Sequence, residues 1–231
     1  MDNPKVVVLI PAFNEENAVG KVVADIPKHL VDEVVVINNN STDKTSESAK
    51  KEGATVLFEA TKGYGNACLK GIEYLKNTRK NQTDIVVFID ADYSDYPEDI
   101  EKLIEPIISG RAKMVIGSRA LGKRESGSMT IPQVFGNWLA TTLIKLIYGA
   151  KFTDLGPFRA ITYSALIDLN MEDKTYGWTV EMQVKAIKQK LSFEEVAVDY
   201  RNRIGFSKIS GTVKGTVLSG YKIITTIFKY L

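Results

Sequence analysis

Short, almost wholly apolar runs that end abruptly in polar loops constrain this chain most. Lys5 to Pro11 reads KVVVLIP, Glu33 to Asn38 reads EVVVIN, and Ile85 to Ile89 reads IVVFI ahead of Asp90-Ala91-Asp92. Runs of this length without polar alternation suit strands covered on both faces, the condition inside a parallel sheet. Between them lie polar loops that open helical patterns. These run from Ala12-Phe13-Asn14-Glu15-Glu16 to about His29, from Ser41-Thr42-Asp43 to near Gly53, and from Lys62-Gly63-Tyr64-Gly65-Asn66 to about Asn77. Ala54 to Phe58 adds a short strand. Pro97, with Glu98, Asp99 and Glu101, suits the first turn of a further helix, and Met114 to Gly117 is the next strand. Strand and helix in alternation predict an α/β sheet growing in parallel.

The regular alternation stops there. Arg119 to Thr130 (RALGKRESGSMT) reads as a mobile basic loop rather than an interdomain linker. Gln133 to Gly149 reads as a helix with polar Gln133, Asn137, Thr141 and Lys145 at regular spacing and a wide apolar surface, suited either to core or to a membrane. A loop and short strand are read over Thr153 to Thr162, a helix over Val180 to Lys190 and a strand over Phe193 to Tyr200. In the last helix Val213, Val217, Tyr221, Ile224 and Phe228 mark one apolar face, flanked by Lys214, Lys222 and Lys229.

Composition narrows the partners. Thirty basic against 28 acidic side chains leave a formal charge of +2, too balanced for nucleic acid as the main partner. The single cysteine, Cys68, excludes an internal disulfide and a cysteine metal cluster, and reads as a small buried helix residue. His29, the sole histidine, is assigned no chemistry. No export signal is visible at the start of the chain, and no apolar run approaches the roughly 20 residues that cross a bilayer. The expectation is a cytoplasmic protein, soluble or lying on a membrane surface.

Chemistry concentrates at the carboxyl ends of the parallel strands, where α/β sheets build ligand sites. Phe13-Asn14-Glu15, Asn38 to Asp43 and Asp90-Ala91-Asp92 lie at such ends. Asp90 and Asp92 offer hard anionic oxygens suited to Mg²⁺ or Mn²⁺ carrying a phosphorylated ligand, although a solvated turn uses the same residues. Ala12-Phe13-Asn14-Glu15 is neither a dinucleotide fingerprint nor a P-loop, so a metal would have to manage the phosphates.

Taken together and in order, Pro11-Ala12-Phe13-Asn14-Glu15, Asn38 to Asp43, Asp90-Ala91-Asp92 with Pro97, and Gly117-Ser118-Arg119 resemble the family 2 glycosyltransferases. The branch that looks most similar contains the dolichyl-phosphate mannose and glucose synthases. Thr153-Asp154 with Phe158-Arg159, Tyr176 to Met182, and Tyr200 to Lys208 follow its order. The resemblance implies one domain over residues 1–231 with the GT-A nucleotide-sugar fold, a mostly parallel central sheet flanked by helices. Residues 1–118 would bind the donor, a UDP- or GDP-hexose, and residues 119–231 a polyprenyl phosphate acceptor. It implies a nucleoside and donor pocket of Pro11, Ala12, Asn14, Glu15, Asn39 and Asp43, with Asp90 near ribose or sugar and Asp92 on Mg²⁺ or Mn²⁺. Two departures stand out. Asn38-Asn39 replaces the usual acidic pair, exchanging pure acceptors for amides that also donate. Gly156-Pro157-Phe158-Arg159 replaces Ser-Gly-Phe-Arg, stiffening the backbone and removing a hydroxyl.

A phosphate acceptor is already anionic and needs charge compensation more than a base. Arg119, Arg124, Arg159, Arg201, Arg203 and Lys208 are the candidate cations, since Arg grips phosphate bidentately. Each has an ordinary reading as a solvated side chain. Glu181 stands where hydroxyl-glycosylating relatives place a carboxylate, and is read equally as a general base or as a helix-dipole partner. Asp154 is either ligand-facing or a turn cap. The competing functions are transfer to a soluble or polysaccharide hydroxyl, a silent nucleotide-sugar-binding subunit, and a nucleotidyltransferase.

Overall fold

The computed structural model describes residues 4–78, 83–207 and 212–231. Strand β1 (Val6–Ala12) is buried at every position. Val7 and Leu9 enter one core, while Val6, Val8 and Ile10 enter the other on the opposite face. Each such side chain contributes about 1.5–3 kcal/mol on burial. With both faces covered there is no solvent side to impose alternation, which is why the run is uniformly apolar. A charged residue at Val8 would have no water to reach on either face.

On one side β1 pairs in parallel with β2 (Glu33–Asn38), which pairs with β3 (Thr55–Phe58); on the other it pairs with β4 (Ile85–Phe88). Strands β5 (Met114–Ser118), β6 (Arg159–Thr162) and β7 (Phe193–Ala197) complete a seven-stranded sheet in the order β3-β2-β1-β4-β6-β5-β7. Only β6 runs against its neighbours. It separates the carboxyl ends of β4 and β5 by one strand, so the loops after β2, β1 and β4 gather together.

The helices of the first half are α1 (Val19–Asp25), α2 (Thr45–Lys51), α3 (Tyr64–Thr78) and α4 (Ile100–Ile108), the last entered through a 3₁₀ turn at Pro97–Asp99. Helix α1 stops short of the expected His29 because Ile26 is extended ahead of Pro27, as the proline ring requires of its predecessor. In the second half α5 (Ile131–Tyr148) opens on a Thr130–Gln133 capping box and closes on left-handed Gly149. The short α6 (Tyr163–Asp168) was not foreseen, being too brief to show a helical period. It is followed by α7 (Trp178–Lys188) and α8 (Val213–Lys229).

Helix α5 turns Asn137 and Thr141 inward. The Asn137 amide donates to Thr153 O at 3.0 Å and accepts from Leu155 N at 2.8 Å, and Thr141 is buried. Phe135 and Trp138, each 58% exposed, pack on one another with ring centroids 5.7 Å apart. Helix α8 lies against α5 and leaves Val217 and Tyr221 exposed. Neither helix contains an acidic residue. Among the described residues no helix is long and apolar enough to cross a membrane.

The Arg119–Thr130 segment, expected to be mobile, is laced to the chain after β7. Lys123 N donates to Asp199 Oδ1 at 2.8 Å, Glu125 N to Tyr200 O at 2.9 Å, and Asn202 N to Glu125 Oε2 at 2.8 Å. A Cβ on Gly122 would collide with the Val198 carbonyl oxygen, so only glycine allows the approach.

Candidate active site

Because β2, β1 and β4 are neighbours, the loops after them stand side by side. They line a cavity of about 270 Å³ with Pro11, Ala12 and Glu15 after β1, Asn39 after β2, and Asp90 and Asp92 after β4. Lys62, Gly63 and Tyr64 at the start of α3 form another wall, and Tyr176, Arg203 and Ser207 reach in from the second half of the chain. These wall residues were not assigned to the donor from sequence. Arg203 had carried the signal of a cation after Tyr200, but nothing local tied it to this cavity.

Two of the expected donor residues stitch loops together. Asn14, with a positive φ of 53°, accepts from Thr42 N at 2.8 Å, while its own N–H donates to Ser41 Oγ at 2.9 Å. Asp43 accepts from Thr45 N at 3.0 Å and from Glu16 N at 3.2 Å. The asparagine pair also has a structural reason. Asn39 Oδ1 accepts from Gly63 N at 2.7 Å while Nδ2 donates to Thr61 O at 2.8 Å. Asn38 Oδ1 accepts from Ser41 N at 2.8 Å and its Nδ2 donates to Ser46 Oγ at 2.6 Å. Each amide uses both of its functions, which a carboxylate could not do.

The acids at the end of β4 differ in their surroundings. Asp92 Oδ1 accepts from Ser94 N at 3.0 Å, and its Oδ2 lies 3.0 Å from Arg203 Nη1. Arg203 Nη2 lies 2.8 Å from Glu15 Oε1. Asp90 Oδ1 is sequestered from solvent with no hydrogen-bond partner. Burial, and then the Asp92 charge, push the Asp90 pKa up to about 7. Asp95 is more extreme: both its carboxyl oxygens are sequestered and unpartnered, and burial followed by the Asp90 charge raises its pKa well above the ordinary value. Among the described residues no group of three or more His, Cys, Asp or Glu side chains is arranged to hold a metal. The orphaned Asp90 oxygen beside Asp92 fits Mg²⁺ or Mn²⁺, which one or two carboxylates can hold while substrate phosphates supply further ligands.

The candidate cations are mostly committed elsewhere. Arg119 is paired at two points with Asp154, and both side chains are largely buried. Asp154 thus faces Arg119 and does not line the cavity. Arg201 donates to Tyr93 O at 2.7 Å and stacks between rings, 3.4 Å from the Tyr93 centroid and 4.3 Å from that of Tyr96. Arg124 is exposed, with Nη1 3.5 Å from Met129 Sδ. Lys208 lies outside the described residues.

Two expectations need correction. Arg159, expected at an acceptor phosphate, is fully buried on β6, where it donates to the carbonyls of Thr179, Leu155 and Gly156. Burial pulls its pKa down to about 10. Its position opposite Phe88 and Ile116 in the sheet puts it in the interior. Glu181, weighed equally as a base or a helix-dipole partner, stands in the first turn of α7 as the second reading requires, but is fully buried. It accepts from Glu172 N at 3.0 Å, Asp173 N at 2.7 Å and the Tyr230 hydroxyl at 2.6 Å, with Lys185 Nζ at 2.8 Å. It holds the turn before α7 and the end of α8 together. Cys68 is buried in α3 as expected, and burial raises its thiol pKa.

The sheet and this cavity define an α/β enzyme of the GT-A glycosyltransferase fold. The chain superposes on glucosyl-3-phosphoglycerate synthase from Mycobacterium tuberculosis, solved with Mn²⁺, UDP and phosphoglyceric acid. The TM-score is 0.77 at 20% identity, over 98% of this chain and 78% of that one. The family model described as Glycosyl transferase family 2 matches residues 7–169. A glycosyltransferase of Mycobacterium tuberculosis (strain ATCC 25618 / H37Rv) is 33% identical over 222 residues, covering 95% of this chain and 96% of the relative. The UDP-N-acetylglucosamine–dolichyl-phosphate N-acetylglucosaminyltransferase of Methanococcus voltae is 29% identical over 244 residues, covering 96% of this chain and 94% of the relative. The chain belongs to glycosyl transferase family 2 and is a hexosyltransferase.

Proposed function

We propose that this protein moves a hexose, with inversion, from a nucleotide diphosphate sugar to a polyprenyl phosphate at the cytoplasmic face of a membrane. The observation that carries this reading is one chain's combination of an acidic donor cavity with an acid-free, outward apolar face on α5 and α8. Asn137 of α5 also holds the backbone on both sides of Asp154, the partner of Arg119. Such a face, with Lys145 and Lys214 exposed on the same helices, suits an anionic bilayer surface.

Residues 1–118 serve the donor and residues 119–231 the acceptor, with Arg203 crossing between them. Pro11, Ala12, Glu15 and Asn39 form the nucleoside walls, which Asn14 and Asp43 hold in place. Asp92, with the unpartnered Asp90 oxygen beside it, would hold the divalent cation, which would supply charge neutralisation for the departing diphosphate. UDP as the nucleotide is supported by the solved relatives bound to it. In the reaction an acceptor phosphate oxygen bonds to the anomeric carbon as that carbon's bond to the diphosphate breaks. No proton need leave the nucleophile. The burial of Glu181 favours an acceptor that needs no base.

A second reading keeps the donor and replaces the lipid by a soluble hydroxyl acceptor such as a glycerate phosphate. Phosphoglyceric acid in the structurally similar synthase favours it. The discriminating experiment offers UDP-glucose, UDP-N-acetylglucosamine and GDP-mannose with polyprenyl phosphate in detergent or with 3-phosphoglycerate, in Mn²⁺ or EDTA. Metal-dependent lipid-linked product is expected. Product with phosphoglycerate alone would establish the second reading, and no transfer with any pair would sink both.

A further inference from the structure

Arg203 joins two acids across the donor cavity, with Nη1 3.0 Å from Asp92 Oδ2 and Nη2 2.8 Å from Glu15 Oε1. Both acids are largely buried, Glu15 at 9% and Asp92 at 7% exposure, and one guanidinium reaches both. The backbone around it is tied to the loop after β4: Arg201 N donates to Ser94 O at 3.0 Å and Ile204 N to Asp92 O at 3.0 Å. Those bonds flank Arg203 on both sides, leaving the side chain as the part able to move.

Asp92 has little else to offer a cation. Its Oδ1 already accepts from Ser94 N at 3.0 Å and from Ser94 Oγ at 2.5 Å. A divalent ion binding Asp92 therefore meets Arg203 at Oδ2, and the two compete for the same lone pairs. A positive side chain close to the ion also opposes it electrostatically. The entry of a diphosphate reverses that balance, because a guanidinium freed from a carboxylate is a strong partner for phosphate oxygens.

We propose that Arg203 is the exchangeable counter-ion of the donor site. A divalent cation takes Asp92 from it, and the released Nη1 end turns to the diphosphate while Nη2 keeps Glu15. This inference rests on the donor-site reading above. Metal and nucleotide then bind cooperatively, each favouring the arrangement the other needs. Arg203 hinders the metal alone and helps the metal-nucleotide pair, a change of sign that a purely structural arginine does not produce.

The test titrates Mn²⁺ alone by electron paramagnetic resonance of the free ion, and UDP by calorimetry with and without Mn²⁺. Wild-type protein is compared with Arg203→Met and Arg203→Lys, whose folds are checked by circular dichroism. In Arg203→Met, Mn²⁺ alone is expected to bind about tenfold tighter and UDP with Mn²⁺ about tenfold weaker. Arg203→Lys, which keeps the charge but cannot span both acids, is expected between the two. It carries the test alone if the methionine variant does not fold. Affinities that fall together, or stay unchanged, in a folded variant overturn the inference while leaving the donor site standing. Wild-type protein that binds neither UDP nor GDP with Mn²⁺ overturns the donor-site reading itself and this inference with it.

Discussion

Arg119 and Asp154 meet at two points, Nε to Oδ2 at 2.8 Å and Nη2 to Oδ1 at 2.7 Å, and the Arg119 backbone N–H adds a third contact of 2.8 Å to Oδ2. Burial opposes ionisation of Asp154, but the Arg119 charge and hydrogen bonds outweigh it and hold the pKa below the ordinary aspartate value. Removing the cation leaves a buried charge uncompensated. Arg119→Ala is expected to lose about 3–5 kcal/mol in urea unfolding. Because the folded pKa is depressed, the contribution is complete above the ordinary aspartate range and is lost as pH falls through the folded value. An alanine variant as stable as wild type but inactive would instead place Arg119 directly on a ligand.

Glu181→Gln separates a structural carboxylate from a base. The substitution keeps the shape and weakens the bonds to Glu172 N, Asp173 N and Lys185. A stability loss of about 1–3 kcal/mol is expected, with kcat within a few-fold of wild type once the protein is folded. A kcat reduced by orders of magnitude at unchanged melting temperature would restore Glu181 as a base.

Asp90 ties cation binding to pH. Its folded pKa of about 7 lies above the ordinary aspartate value of 3.8, so as pH rises from the lower value to the higher the fold loses stability. A cation needs the carboxylate and must displace the proton below about pH 7. Divalent-ion affinity should therefore fall by about tenfold per unit well below that point, with proton release on binding. Calorimetry of Mn²⁺ with UDP in two buffers of different ionisation enthalpy measures the release. Binding independent of pH between 5 and 8 would remove Asp90 from the cation site.

The outward aromatic pair on α5 can be tested without touching the cavity. Phe135 and Trp138 are each 58% exposed, so the double change to glutamate is expected to alter folding stability by no more than about 1 kcal/mol. Co-sedimentation with phosphatidylglycerol vesicles is expected to drop at least about tenfold. Wild-type protein that ignores such vesicles would remove the bilayer from the proposed function.

Much of the donor half was legible because its signals are local. Uniform apolar runs such as Val6 to Ile10 state double-sided burial directly, and the acids after Ile89 follow from strand ends in a parallel sheet. The neighbouring positions of β2, β1 and β4 then brought Glu15, Asn39, Asp90 and Asp92 around one cavity. The second half was less legible. A short strand was read over Arg159 to Thr162, but nothing in four residues states that it runs antiparallel between β4 and β5. The helical pattern of α5 was plain, yet which face met solvent depended on Asn137 finding Thr153 and Leu155.

Residue type and order by themselves determined the α/β layering, the family resemblance and the placement of paired aspartates at a strand end, since each depends on period, propensity or motif within a short window. Tertiary structure alone decided which charges are available. Arg159 and Arg119 carry the same group, but one is enclosed by carbonyls and the other by Asp154, while Arg203 spans 188 positions of chain to reach Glu15. An arginine's role is set by the partner that folding brings to it, and electrostatic partners distant in sequence leave no local pattern.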